Sequence, residues 1–153
     1  MESVQDQHAP HGICFGCGPA NKHGLQIKSR WEGDLFVARW RPQPHHQAFP
    51  GVLNGGICGA LLDCHSNWCA VTTLLKERGL SEAPSCVTSE FSVKLKRPTP
   101  VDQELLLSAR PVKVDGDVVT VDAELRVGEK VTATCHGVFV AVKPGHPAYH
   151  RWS

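Results

Sequence analysis

The residues best suited to chemistry in this 153-residue chain cluster around one glycine pair and one acid. Asn54-Gly55-Gly56 stands at the head of a segment with helical periodicity, and Asp63 follows seven residues after Gly56. A helix start carries unpaired backbone N–H groups and the positive end of the macrodipole. Together they stabilise the negative charge that grows on an acyl oxygen when water or a carboxylate attacks its carbon. Gly55 and Gly56, having no side chain, leave room for that approach. Asp63 lies about 10 Å down the axis at 1.5 Å per residue, too far to meet a carbonyl held at its own helix tip. Two such helices packed antiparallel across a two-fold axis remove the difficulty, since the tip of one then lies beside the second turn of the other.

Each of these residues also has a plainer role. Asp63 reads equally as a solvated acid or a loop cap, Asn54 as an N-cap, and Thr88 as an ordinary strand residue. His45, His46 and Gln47 sit in a proline-rich loop before the helix. Exposed loop histidines are usually inert, but an imidazole near a carboxylate is useful chemistry, which favours His46. Cys14-Phe15-Gly16-Cys17 is a lone Cys-x-x-Cys, with His11 and His23 close enough in sequence to complete four ligands. No second cysteine pair accompanies it, so an ordinary loop is the expectation and no metal or other cofactor is assigned. Cys58, Cys64 and Cys69 fall inside the helical pattern and read as small buried thiols.

The elements that must position these residues are legible from periodicity. Leu25–Trp31 and Leu35–Arg41 are expected as paired strands around the turn Glu32-Gly33-Asp34. Pro42 to Pro50, rich in proline, reads as a loop. Ile57, Leu61, Cys64, Trp68, Val71 and Leu75 form one stripe of a helix of about 20 residues, ended at Gly79. Its other side carries Gly59, Asp63, Ser66, Asn67 and Ala70, which could face a partner or a ligand. From Val87 to Lys96 apolar and polar residues alternate, a strand whose polar face holds Thr88. Three further strands are expected at about Glu104–Val114, Val118–Val127 and Val131–Val142. Two strands, a helix and four strands predict an α+β fold, an antiparallel sheet of about six strands around one long central helix.

Composition narrows the function. Hydrophobic residues make up 41% and charged residues 20%, enough for one domain with a core. That domain is expected over 24–143, with an N-terminal arm at 1–23 and a tail at 144–153. A net charge of +1 supplies no basic stripe for nucleic acid, and no segment reads as a signal or a membrane span, so a cytoplasmic location is expected. No Gly-x-Ser-x-Gly elbow or Walker-type loop occurs.

The run Pro50-Gly51-Val52-Leu53-Asn54-Gly55-Gly56, followed by Leu61-Leu62-Asp63, Val87-Thr88-Ser89 and Lys96-Arg97-Pro98, resembles the PaaI-like branch of the hotdog-fold thioesterase superfamily over roughly residues 14 to 142. The resemblance implies a hotdog fold and hydrolysis of acyl-CoA at a site shared across a homodimer that assembles further to a homotetramer. It makes the Gly55 N–H the oxyanion donor, Asp63 of the partner chain the nucleophile or general base, and Thr88 the hydroxyl that orients water. Gly56, His46, Gln47 and Ser89 would then line the substrate, and Arg97 would meet the coenzyme phosphates. The chain departs from the family at Asn54, where the family has histidine. That departure keeps a non-catalytic acyl-CoA binding module in view. A hydratase or dehydratase of the same fold would need another histidine, such as His46, His65 or His136, beside the acid.

Overall fold

The computed structural model describes residues 2–153. A short helix α1 (Val4–His8) precedes a hairpin of β1 (Ser29–Glu32) and β2 (Leu35–Trp40). A single 3-10 turn at Pro44–His46 leads into two short strands, β3 (Gln47–Phe49) and β4 (Val52–Leu53), and then into the central helix α2 (Gly55–Glu77). The chain finishes with β5 (Cys86–Leu95) and a meander of β6 (Leu105–Asp115), β7 (Val118–Val127) and β8 (Lys130–Ala141). Six strands form one antiparallel sheet in the order β1-β2-β6-β7-β8-β5, while β3 pairs only with β4. Helix α2 packs against β5, β6, β7 and β8. This is the α+β hotdog arrangement that the sequence predicts.

The meander turns use glycine where the backbone requires it. Gly116 and Gly128 sit at φ +59° and +57°, the left-handed region that side chains disfavour, and so close the β6–β7 and β7–β8 hairpins tightly. The core lies between helix and sheet, where Leu61, Trp68 and Leu74 of α2 and Leu107, Leu125 and Phe139 of the strands are all fully buried in one cluster. Burying such a side chain stabilises the fold by about 1.5–3 kcal/mol.

Three expectations are corrected. The first strand begins at Ser29 rather than Leu25, because Gln26 takes a positive φ of 57° that breaks the extended run. Leu25 and Ile27 instead donate their N–H groups to the carbonyls of Phe15 and Gly16. The side of α2 opposite the stripe is not free: Ser66, Asn67 and Ala70 are buried within the chain, and Asn67 Nδ2 donates to the Cys86 carbonyl at 3.2 Å. The third correction concerns β5. Its pairing with β8 shifts register between Thr88 and Glu90, a bulge at Ser89. Thr88, Phe91, Val93 and Leu95 therefore oppose Phe139, Gly137, Cys135 and Ala133, residues of one sheet face. The bulge moves Thr88 from the expected polar face to the side that meets the helix.

The N-terminal segment and the C-terminal tail both pack on this frame. Gln5 is fully buried; its amide donates to Ser29 Oγ at 3.0 Å and accepts from the Ser29 N–H at 2.8 Å. The Trp152 ring lies 4.4 Å from that of Trp68. Among the described residues, no helix is long and apolar enough to cross a membrane.

Candidate active site

Asn54 caps α2, its Oδ1 accepting the Ile57 N–H at 3.1 Å. The Gly55 and Gly56 N–H groups are left without an acceptor among the described residues, as a helix start dictates. The two glycines differ in the room around them: a Cβ on Gly55 would sit 3.0 Å from Leu95 Cδ1, the end of an exposed side chain that can turn aside, whereas one on Gly56 would sit 2.9 Å from Asn54 Oδ1, the cap itself. The loop before the helix is fastened to this tip. The Asn54 N–H donates to the His46 carbonyl at 2.9 Å. The Gln47 amide clamps the turn, donating to the Pro44 carbonyl at 2.7 Å and accepting from the Gly51 N–H at 2.6 Å.

Asp63 sits two turns further on and is half-buried. The bulged strand brings Thr88 to it, and Thr88 Oγ1 donates to Asp63 Oδ1 at 2.6 Å. Burial raises the Asp63 pKa above the usual carboxylate range. The Thr88 hydrogen bond works against that rise, any negative charge on the Cys14 sulfur adds to it, and the positive charge of Arg151 opposes it. Arg151 was missed by sequence reasoning, which set the tail aside. Its guanidinium donates to the Cys86 carbonyl at 2.7 Å, at the start of the strand that carries Thr88.

The predicted site residues thus fall into two groups. Asn54, Gly55, Gly56, His46 and Gln47 gather at the helix tip, and Asp63 pairs with Thr88 lower down. Ser89 is the exposed bulge residue beside Thr88, and Arg97 is exposed beyond the end of β5. The eight helical steps from Gly55 to Asp63 span about 12 Å. Clefts of about 530 and 710 Å3 lie on the outer sheet face and beside the tail, and neither is lined by Asp63, Thr88 or the helix tip. Within one chain the free N–H groups of the helix tip and the Asp63 carboxylate therefore do not converge.

None of the three histidines joins Asp63 by a hydrogen bond. His65 is fully buried between Ser29 Oγ (2.8 Å from Nδ1) and the Phe36 carbonyl (2.9 Å from Nε2). The carbonyl can only accept, so Nε2 carries the proton and Nδ1 accepts from Ser29. Burial pushes this imidazole down to about 4. His46 is buried with its ring on Trp40 and its Nδ1 accepting the Gln43 N–H at 2.9 Å. His136 is exposed and paired with Asp122 at 2.6 Å.

A comparison with protein families matches the Thioesterase superfamily over residues 50–134, which takes in the helix tip, Asp63 and Thr88. The chain belongs to the thioesterase superfamily. A thioesterase superfamily protein from Shewanella loihica is 30% identical, with 82% of this chain and 98% of that one covered at a TM-score of 0.65. The fold is shared by a thioesterase from Haemophilus influenzae (18% identity, 80% and 84% covered, TM-score 0.68). It is shared too by the Escherichia coli PaaI protein from the phenylacetic acid degradation operon (16% identity, 78% and 81% covered, TM-score 0.65). No curated protein matches. As a hotdog thioesterase, the chain has the two kinds of group that thioester hydrolysis needs: free N–H donors at a helix tip and a positioned carboxylate.

Proposed function

We propose that this thioesterase hydrolyses acyl-CoA to a free acid and coenzyme A, in a site completed by a second copy of the chain. The observation that carries the reading is the Thr88–Asp63 pair held two turns below a helix tip whose N–H groups are free. The edge of β5 supports the shared site. It is one of the two edge strands of the sheet and, at ten residues, far longer than the four-residue β1 at the other edge; Phe91 and Leu95 on it are 44% and 58% exposed. An open edge with apolar side chains is a template for pairing with another strand. Two chains joined through β5 would lay their α2 helices side by side and antiparallel, setting Gly55 of one near Asp63 of the other. Such dimers assemble further to tetramers in this reading.

In the reaction, the thioester oxygen rests on the Gly55 N–H, and the Asp63 carboxylate of the partner chain attacks or activates water. Thr88 orients that carboxylate or the water. The Asn54 side chain fixes the tip, the task left to it in place of the family histidine, while Gly56, His46, Gln47 and Ser89 shape the thioester approach. Arg97 meets the coenzyme phosphates. A hydratase would need a histidine at the acid, and the hydrogen bonds of His46, His65 and His136 lie elsewhere.

Thiol release from a panel of short, long, branched and aryl acyl-CoAs tests the proposal, with wild type and Asn54→His run side by side. Wild type is expected to turn over at least one of them, and Asn54→His to change the rate only a few-fold. A wild type inert toward every thioester, with activity appearing in Asn54→His, would make the chain a binding module instead.

A further inference from the structure

We propose that Cys14, Cys17 and Cys64 form a zinc site that fastens the N-terminal loop to the central helix. Their three Sγ atoms lie within 4.8 Å of one another, although 47 residues separate Cys17 from Cys64. The Cys14 and Cys64 sulfurs are 3.7 Å apart. A tetrahedral ion with zinc–sulfur bonds of about 2.3 Å sets its ligand sulfurs about 3.8 Å apart, so Cys14 and Cys64 already stand at the edge length of such a site, with Cys17 within 4.8 Å of both. The two histidines nearest in sequence, His11 and His23, are not in the cluster; the third thiol comes from α2.

The surroundings are built around these sulfurs. Gly16, between the two loop cysteines, lies against Cys64, and a Cβ there would collide with its Sγ. The Cys17 sulfur accepts the Trp68 indole N–H at 3.3 Å. The loop is locked by bonds from Gly18 N to the Cys14 carbonyl, Leu25 N to the Phe15 carbonyl and Ile27 N to the Gly16 carbonyl. The thiolate is the form that binds metal, so each sulfur gives up its proton as the ion enters. A cleft of about 470 Å3 bordered by His11, Arg151 and Trp152 reaches Cys14 and Cys17, giving the ion an entry path and its fourth position a place for solvent.

The site is independent of the thioesterase reading, and its test needs no substrate. Full-length protein, stripped by chelator and kept in a phosphine reductant, is titrated with cobalt(II) chloride. The expected result is a sulfur-to-cobalt charge-transfer band with intense tetrahedral d–d absorption, saturating at one equivalent and displaced by zinc chloride. The band is lost in Cys17→Ala and Cys64→Ala and kept in Cys58→Ala, whose thiol lies outside the cluster. Because a core variant can fail to fold, the wild type alone is also alkylated with and without zinc. Zinc is expected to slow modification of Cys14 at least ten-fold. A folded, reduced wild type that takes up neither metal, a band unchanged in Cys64→Ala, or Cys14 unprotected by zinc would each overturn the proposal.

Discussion

Asp63→Asn is expected to lower kcat at least about 100-fold while the protein remains folded and assembled, because the amide keeps the shape of the carboxylate but can neither attack nor take a proton. The variant also keeps an oxygen that can accept the Thr88 hydroxyl now bonded at 2.6 Å, so the strand should stay in place. Thiol release fixes the rate, and circular dichroism with light scattering fixes fold and assembly. An unchanged kcat would remove Asp63 from the mechanism.

His65→Phe is expected to cost about 2–4 kcal/mol of stability with little change in kcat. The phenyl ring can keep the stacking on Phe36, whose ring lies 4.7 Å from the imidazole. It cannot donate to the Phe36 carbonyl or accept from the Ser29 hydroxyl, both buried; a buried group that loses its partner costs about 1–3 kcal/mol, the Ser29 oxygen at the lower end because it still accepts from Gln5. Ser29 also links to Gln5, so the N-terminal helix α1 should loosen with it. Denaturant unfolding measures the loss, and a folded variant assayed for thiol release separates this structural role from a catalytic one. A kcat collapse in the folded variant as deep as that of Asp63→Asn would give His65 a part in thioester hydrolysis and overturn the structural role.

The fold was largely readable because its signals are local. The stripe from Ile57 to Leu75 marks α2, the glycine turns at Gly116 and Gly128 mark the meander, and these calculable patterns survive folding with ends moved by one or two residues. What failed depends on sheet order and cross-chain packing. Alternation along β5 places Thr88 opposite Phe91, and only the bulge at Ser89 returns it to the face of Asp63. Phe91 and Leu95 look like core by pattern, yet they are exposed because β5 ends the sheet. The resemblance implied only that the Thr88 hydroxyl orients water; its bond to Asp63 exists because the bulged strand lies against α2. Cys64 looked like any apolar position of the stripe, since nothing in its neighbours reveals that Cys14 and Cys17 fold back onto it. Arg151 was invisible for the same reason: its influence on Asp63 is exerted through space from the end of the chain.

Complementation between two inactive variants tests the shared site most directly. Asp63→Asn removes the carboxylate. Gly55→Pro removes the N–H donor where proline is well tolerated, at the first helical position, and the preceding Asn54 already has the extended ψ of 131° that proline demands. Each homodimer is expected to be nearly inactive. A heterodimer carrying one chain of each, purified through two different tags, holds one site with both groups intact and one with neither. It should regain about half the wild-type kcat per dimer, because the intact Gly55 and the intact Asp63 then meet across the two-fold axis. A heterodimer as inactive as its parents would contradict a site built from both chains.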